Sequence, residues 1–119
     1  MSKKVLLVIK SPPYGSSRVS EGFRIATAMI AMDVLPRLLF IDDGVYCLIE
    51  NQKPESAELD SYYERLKTLA DLAGLYAVKE SIVKRRLEFA DLDNSLHVKM
   101  VDFDEATEQI IESESVLIF

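Results

Sequence analysis

Among its 119 residues the chain has one cysteine, one histidine, no tryptophan, and only four glycines and four prolines. A lone thiol, Cys47, forms no internal disulfide, so nothing implies an oxidising compartment. A lone imidazole, His97, makes no metal site by itself. Inside the run Leu96-His97-Val98-Lys99-Met100-Val101 it reads as a neutral, structurally placed residue of a strand. Long apolar runs are also missing. Val5 to Ile9 is too short for a secretory core and is ended by Lys10 and Pro12-Pro13, and nothing approaches the roughly 20 residues of a membrane span. A soluble, cytoplasmic protein is expected. Cations are in deficit, 14 against 20 acids, for a net charge of −6. That balance counts against direct nucleic-acid binding, which needs a basic face for phosphates. The cluster Lys84-Arg85-Arg86 stands out from it and reads as a solvated helix face.

What is present is apolar residue in quantity, 49% of the chain, enough for the core of one domain over residues 1–119 without metal or disulfide staples. Val5-Leu6-Leu7-Val8-Ile9 is continuous and unalternating, the pattern of a strand covered on both faces. Arg37–Ile41, Leu75–Val78, Leu96–Val101 and Val116–Phe119 read as four more strands, the fourth near a sheet edge because it alternates. Between them fall a helix from a Ser16 or Ser17 cap to about Met32, and a turn at Asp42-Asp43-Gly44 with one or two helical turns over Val45–Ile49. A polar loop follows over Glu50–Glu58. Leu59, Tyr62, Tyr63, Leu66, Leu69, Ala70 and Ala73 then mark a helix that Gly74 closes. Ser81 to about Phe89 forms another helix. In the last one, Asp102 and Glu105 have capping-box spacing and Phe103, Ala106 and Ile110 form the inner face. The alternation of strands and helices predicts an α/β, doubly wound, mostly parallel sheet of about five strands.

The first helix is apolar nearly all round: Phe23, Ala26 and Ile30 mark one stripe, and Ile25, Met29 and Met32 a second. Such a helix needs a cover on more than its sheet side, and Ile25, Met29 and Met32 are the candidate subunit interface.

Ligands of open parallel sheets bind beyond the carboxyl ends of the strands, which points to Ser11–Ser17, Asp42–Cys47, Lys79–Ser81 and Asp102–Asp104. Pro12 and Pro13 remove the backbone N–H groups a phosphate cradle uses, and no glycine-rich or Walker-type motif is present. Asp42 and Asp43 lack an acid at the end of the first strand to share a Mg²⁺ with, and read as a turn. No nucleophile elbow surrounds any serine. No cofactor, metal or catalytic residue is therefore assigned, and no activity of the chain's own is expected. Cys47 sits in Val45-Tyr46-Cys47-Leu48-Ile49, where apolar neighbours raise a thiol's pKa, and reads as core filler.

Asp43-Gly44-Val45-Tyr46, Gln52-Lys53-Pro54 and Gly74-Leu75-Tyr76, in that order and spacing, resemble the DsrE/DsrF-like family of sulfur-relay proteins, nearest its DsrF and TusC branch. The likeness runs through Pro13-Tyr14-Gly15 to Leu117-Ile118-Phe119. It implies a flavodoxin-like fold and assembly into oligomers, either of one chain or with DsrE-like and DsrH-like subunits. Such complexes pass persulfide sulfur along, in sulfur oxidation or towards transfer-RNA 2-thiolation. Carrier subunits of the family hold their acceptor cysteine after the third strand, at the start of the next helix. Here that stretch is Val78-Lys79-Glu80-Ser81, and the resemblance implies a non-carrier subunit. Two alternatives stay open: a self-assembling carrier that uses Cys47, and a flavodoxin-like module for a small molecule or nucleotide.

Overall fold

The computed structural model describes residues 4–15, 17–49 and 57–119, with residues 57–63 taken as backbone only. Five strands, β1 (Val5–Ile9), β2 (Arg37–Phe40), β3 (Gly74–Val78), β4 (Lys99–Val101) and β5 (Ser115–Ile118), form one sheet in the order β4-β3-β2-β1-β5. Every pairing is parallel. The helices are α1 (Arg18–Ala31), α2 (Ala57–Leu72), α3 (Lys79–Lys84) and α4 (Phe103–Glu112), with 3₁₀ turns at Asp42–Leu48, Phe89–Asp91 and Asn94–Leu96.

Side chains alternate across a strand, and β1 shows how each face is covered. Val5, Leu7 and Ile9 join Phe23 and Ala26 of α1, Leu66 and Leu69 of α2, and Phe40 in the main core. Leu6 and Val8 join Leu39, Val78, Val101 and Ala106 of α4 in a smaller second core. The sheet is thus doubly wound, with helices on both faces. All of β1 is buried, as its unbroken apolar run requires. Gly22 of α1 lies against the Phe119 ring, where an added Cβ would come within 3.0 Å.

The elements follow the sequence pattern with four physical exceptions. Gly74 is not a left-handed helix cap but the first residue of β3, and a Cβ there would stand 2.9 Å from the Tyr76 ring two residues on, along the same sheet face. The third helix starts at Lys79 and stops at Lys84, because Arg86 turns left-handed at φ 58°. The expected strand over Leu96–Val101 begins only at Lys99. Leu96 is the buried end of a 3₁₀ turn, and His97 is an exposed residue at φ 50° rather than a strand residue. On α4 the box forms as its spacing demands, Asp102 accepting from the Glu105 N–H at 2.8 Å and Glu105 from the Asp102 N–H at 3.4 Å. Yet only Ala106 of the expected inner face is buried, and Phe103 and Ile110 stay exposed. As expected, β4 is an edge strand. The Glu50–Glu58 loop, the Gln52-Lys53-Pro54 segment, Ser16, and the side chains of Leu59, Tyr62 and Tyr63 lie wholly or in part outside the described residues.

Among the described residues no helix is long and apolar enough to cross a membrane.

Candidate functional site

The carboxyl edge of the sheet brings all four expected segments together, the Phe103 N–H of the last donating to Glu80 at 3.1 Å. β1 ends against the Asp42–Leu48 turn: the Ile41 N–H donates to the Ile9 carbonyl at 3.0 Å. Gly44 then passes so close that a Cβ there would meet the same oxygen. Only glycine fits, which gives the Asp43-Gly44-Val45-Tyr46 signature a steric reason. The turn is locked from its other side by α3. Ser81, buried despite its hydroxyl, accepts the Asp42 N–H at 3.0 Å. Arg85 pairs with the Asp43 carboxylate at 3.0 Å and also donates to the Ser81 carbonyl at 3.2 Å. Asp42 itself takes the left-handed conformation, φ 53°, a backbone state aspartate tolerates better than most residues.

This clasp gives Asp43 and Arg85 structural work. Asp43 is turned to a guanidinium, and among the described residues no group of three or more His, Cys, Asp or Glu is arranged to hold a metal. Arg85, read as part of a solvated basic run, is half-buried and engaged. Sequence reasoning missed the role of Ser81, because a serine at a helix start looks like a cap. Its real partner is 39 positions upstream, where no local pattern reaches.

The first loop is equally committed. The Lys10 and Ser11 N–H groups both donate to the Phe119 carbonyl, at 2.7 and 3.3 Å. Two consecutive N–H groups at the start of that loop are thereby spent on the residue that follows β5.

Cys47 lies within the 3₁₀ turn among main-core side chains and is 1% exposed. Its thiol points to the Ser11 carbonyl at 4.0 Å. Burial drives its pKa far above the ordinary thiol value, with a backbone hydrogen bond opposing weakly. The thiolate, which is the nucleophile, is strongly disfavoured there.

Of the candidate interface on α1, Ile25 is half-buried, Met29 packs partly on the main core and Met32 is 77% exposed at the end of the helix. At about 100° per residue, Ile25 and Met32 fall roughly opposite Phe23 and face away from the sheet.

The model of the DsrE/DsrF-like family matches residues 3–119. Protein TusC of Buchnera aphidicola subsp. Baizongia pistaciae is 27% identical over 119 residues, which is 98% of this chain and 99% of that protein. The intracellular sulfur oxidation protein DsrF of Allochromatium vinosum is 25% identical over 131 residues, covering 98% of this chain and 96% of its own. Among solved structures, the ychN protein of E. coli superposes with a TM-score of 0.80 at 22% identity, over 98% of this chain and 99% of that one. A protein of unknown function from Methanobacterium thermoautotrophicum gives 0.75 at 14% identity over the whole of both chains. At such identities the structural likeness speaks for the fold.

Proposed function

Because the chain belongs to the DsrE/DsrF-like family, we propose that it is a non-carrier subunit of an oligomeric sulfur-relay complex. One observation carries this reading: the start of α3, directly after β3, holds Lys79-Glu80-Ser81 and no thiol, and the hydroxyl of Ser81 is consumed in fastening Asp42. A persulfide relay needs an accessible thiolate, and Cys47 is buried and held protonated. The family-related names TusC and DsrF of its relatives support the same placement. In this role the chain acts by fit. It fills a place in the assembly and leaves the sulfur chemistry to a thiol on a neighbouring subunit, DsrE-like or DsrH-like in kind.

The test is co-expression with DsrE-like and DsrH-like chains from the same genome, followed by sulfur loading and intact-mass measurement. A stable complex is expected in which added sulfur resides on a partner and Cys47 gains none. A chain that joins no such partner, or one whose Cys47 takes up sulfur while native, would overturn the reading.

A further inference from the structure

The last helix is seated the wrong way round for its composition. Ala106 is buried and Gln109 and Ser113 are half-buried, so small and polar residues face the sheet. At about 100° per residue, Phe103 and Ile110 then lie along one flank and Ile111 on the outer ridge. All three are exposed, Ile111 by 75%, whereas a helix packed on its own domain normally turns its apolar stripe to the core. The next strand extends this apolar surface. Leu6 and Val8, which share the second core with Ala106, pair in register with Val116 and Ile118. Ile118 therefore stands on the same sheet face as α4, and it is 63% exposed. From the carboxyl end of β4, α4 runs to the amino end of β5, one sheet edge to the other. It crosses the face obliquely and leaves the corner at the carboxyl end of β5 open. With right-handed crossovers, the flank of Phe103 and Ile110 is the one turned to that corner.

We propose that this notch docks an amphipathic helix of a different protein, one whose apolar stripe is bordered by lysine or arginine. Phe103, Ile110, Ile111 and Ile118 call for the stripe, and charge sets the sign of its border. From Met100 to Phe119 the sequence has six acids and no lysine or arginine. Asp104 and Glu108 share the outer ridge with Ile111, and Glu112 ends the helix. Among the described residues none of the three is in an ion pair. The last turn of α4 holds no basic residue either, so the negative end of its dipole is not offset from within the helix. The neighbouring cations are Lys10 after β1 and Lys79 and Lys84, which lie with Glu80 and Asp102 at the head of α4. Against the acids of the segment they leave the surface negative. Such a face repels nucleic acid and anionic membrane. A second copy does not answer it, because α4 on α4 sets acid against acid. The chain's own basic cluster is mixed with carboxylates, Lys79 and Lys84 beside Glu80 and Asp102, and Arg85 paired with Asp43.

This contact stands on the surface alone, without the sulfur-relay reading. Its test is titration of the full chain with a synthetic helical peptide of about 18 residues, leucine along one stripe and lysine on both borders. Fluorescence anisotropy and amide chemical shifts are the readouts. Binding is expected, with the shifts centred on α4 and Ile118. Glu108→Lys/Glu112→Lys should weaken it by about tenfold or more, and Ile111→Ser should weaken it several-fold with no change of charge. Glu64→Lys/Asp71→Lys, the same charge change on α2, should leave it within about twofold. All of these side chains are exposed, so the variants keep the fold, and melting temperatures check it. No binding, shifts centred elsewhere, an α2 variant as weak as the α4 variant, or equal binding of a peptide with serine for leucine would each overturn the contact. So would sedimentation in which Glu108→Lys/Glu112→Lys breaks up an assembly of the chain with itself, since α4 would then belong to a second copy.

Discussion

At the scale of single residues, Cys47 and Gly44 make opposite demands on the same turn. Burial that raises the Cys47 thiol from its ordinary value of 9.0 also links stability to pH. The unfolded thiol ionises above that value while the native one keeps its proton, so this contribution is whole below about pH 9 and drains away as pH rises beyond it. The loss is at most about 1.4 kcal/mol per pH unit. Denaturant titrations at pH 8 and pH 10 should show a steeper decline in the parent chain than in Cys47→Ala. At pH 8, iodoacetamide should leave Cys47 unmodified in the native protein and label it fully in denaturant. Gly44 admits no side chain, because the Ile9 carbonyl occupies the space of a Cβ. Gly44→Ala must displace either the turn or the end of β1, and a loss of about 3 kcal/mol or more is expected in chemical denaturation.

Among the elements, α3 and α4 depend on fastenings of different reach. The Asp102 cap is local, and Asp102→Ala should cost about 1 kcal/mol, read as a lowered melting temperature. Ser81→Ala strands the Asp42 N–H and should cost about 1–3 kcal/mol, more than Arg85→Met, whose pairing with Asp43 is partly solvated and contributes about 1 kcal/mol or less. The difference in reach also explains what could be read from sequence. The β1 run, the α4 box and the parallel α/β class follow from neighbours a few residues apart, and all are visible in the amino-acid order. The clasp of Asp42, Asp43, Ser81 and Arg85 joins segments some 40 positions apart and is not. The alternation of Leu96–Val101 misleads for a related reason: Leu96 is buried by a 3₁₀ turn packed on α2, and its burial imitates the inward position of a strand. Gly74 misleads because a glycine needed for an aromatic neighbour looks the same as one needed for a left-handed turn.

For the whole molecule, the expectation carried from the first helix is that Ile25, Met29 and Met32 meet another subunit. The fold qualifies it, since Met29 already leans on the chain's own core. Met32 is the clean probe. Met32→Glu should leave the melting temperature within about 1 °C of the parent, because an exposed position contributes little to folding. In a pull-down with DsrE-like and DsrH-like chains it should reduce recovery of the complex several-fold. Unchanged recovery would remove α1 from the interface and direct attention to α3 and α4.

The strand order has a further consequence, in time. β1 is flanked by β2 on one side and by β5 on the other, so Leu6 pairs with Val116 across almost the whole chain. The link to β5 is α4, which must span the sheet from one edge to the other. Pairings between distant segments form slowly, since a large loop must close before they are rewarded. During synthesis, therefore, one edge of β1 and the apolar residues beneath α4 stay uncovered until α4 and β5 have left the ribosome. That interval, in which an unpaired strand lies open to other chains, makes this a protein whose yield should respond to translation rate and chaperone supply.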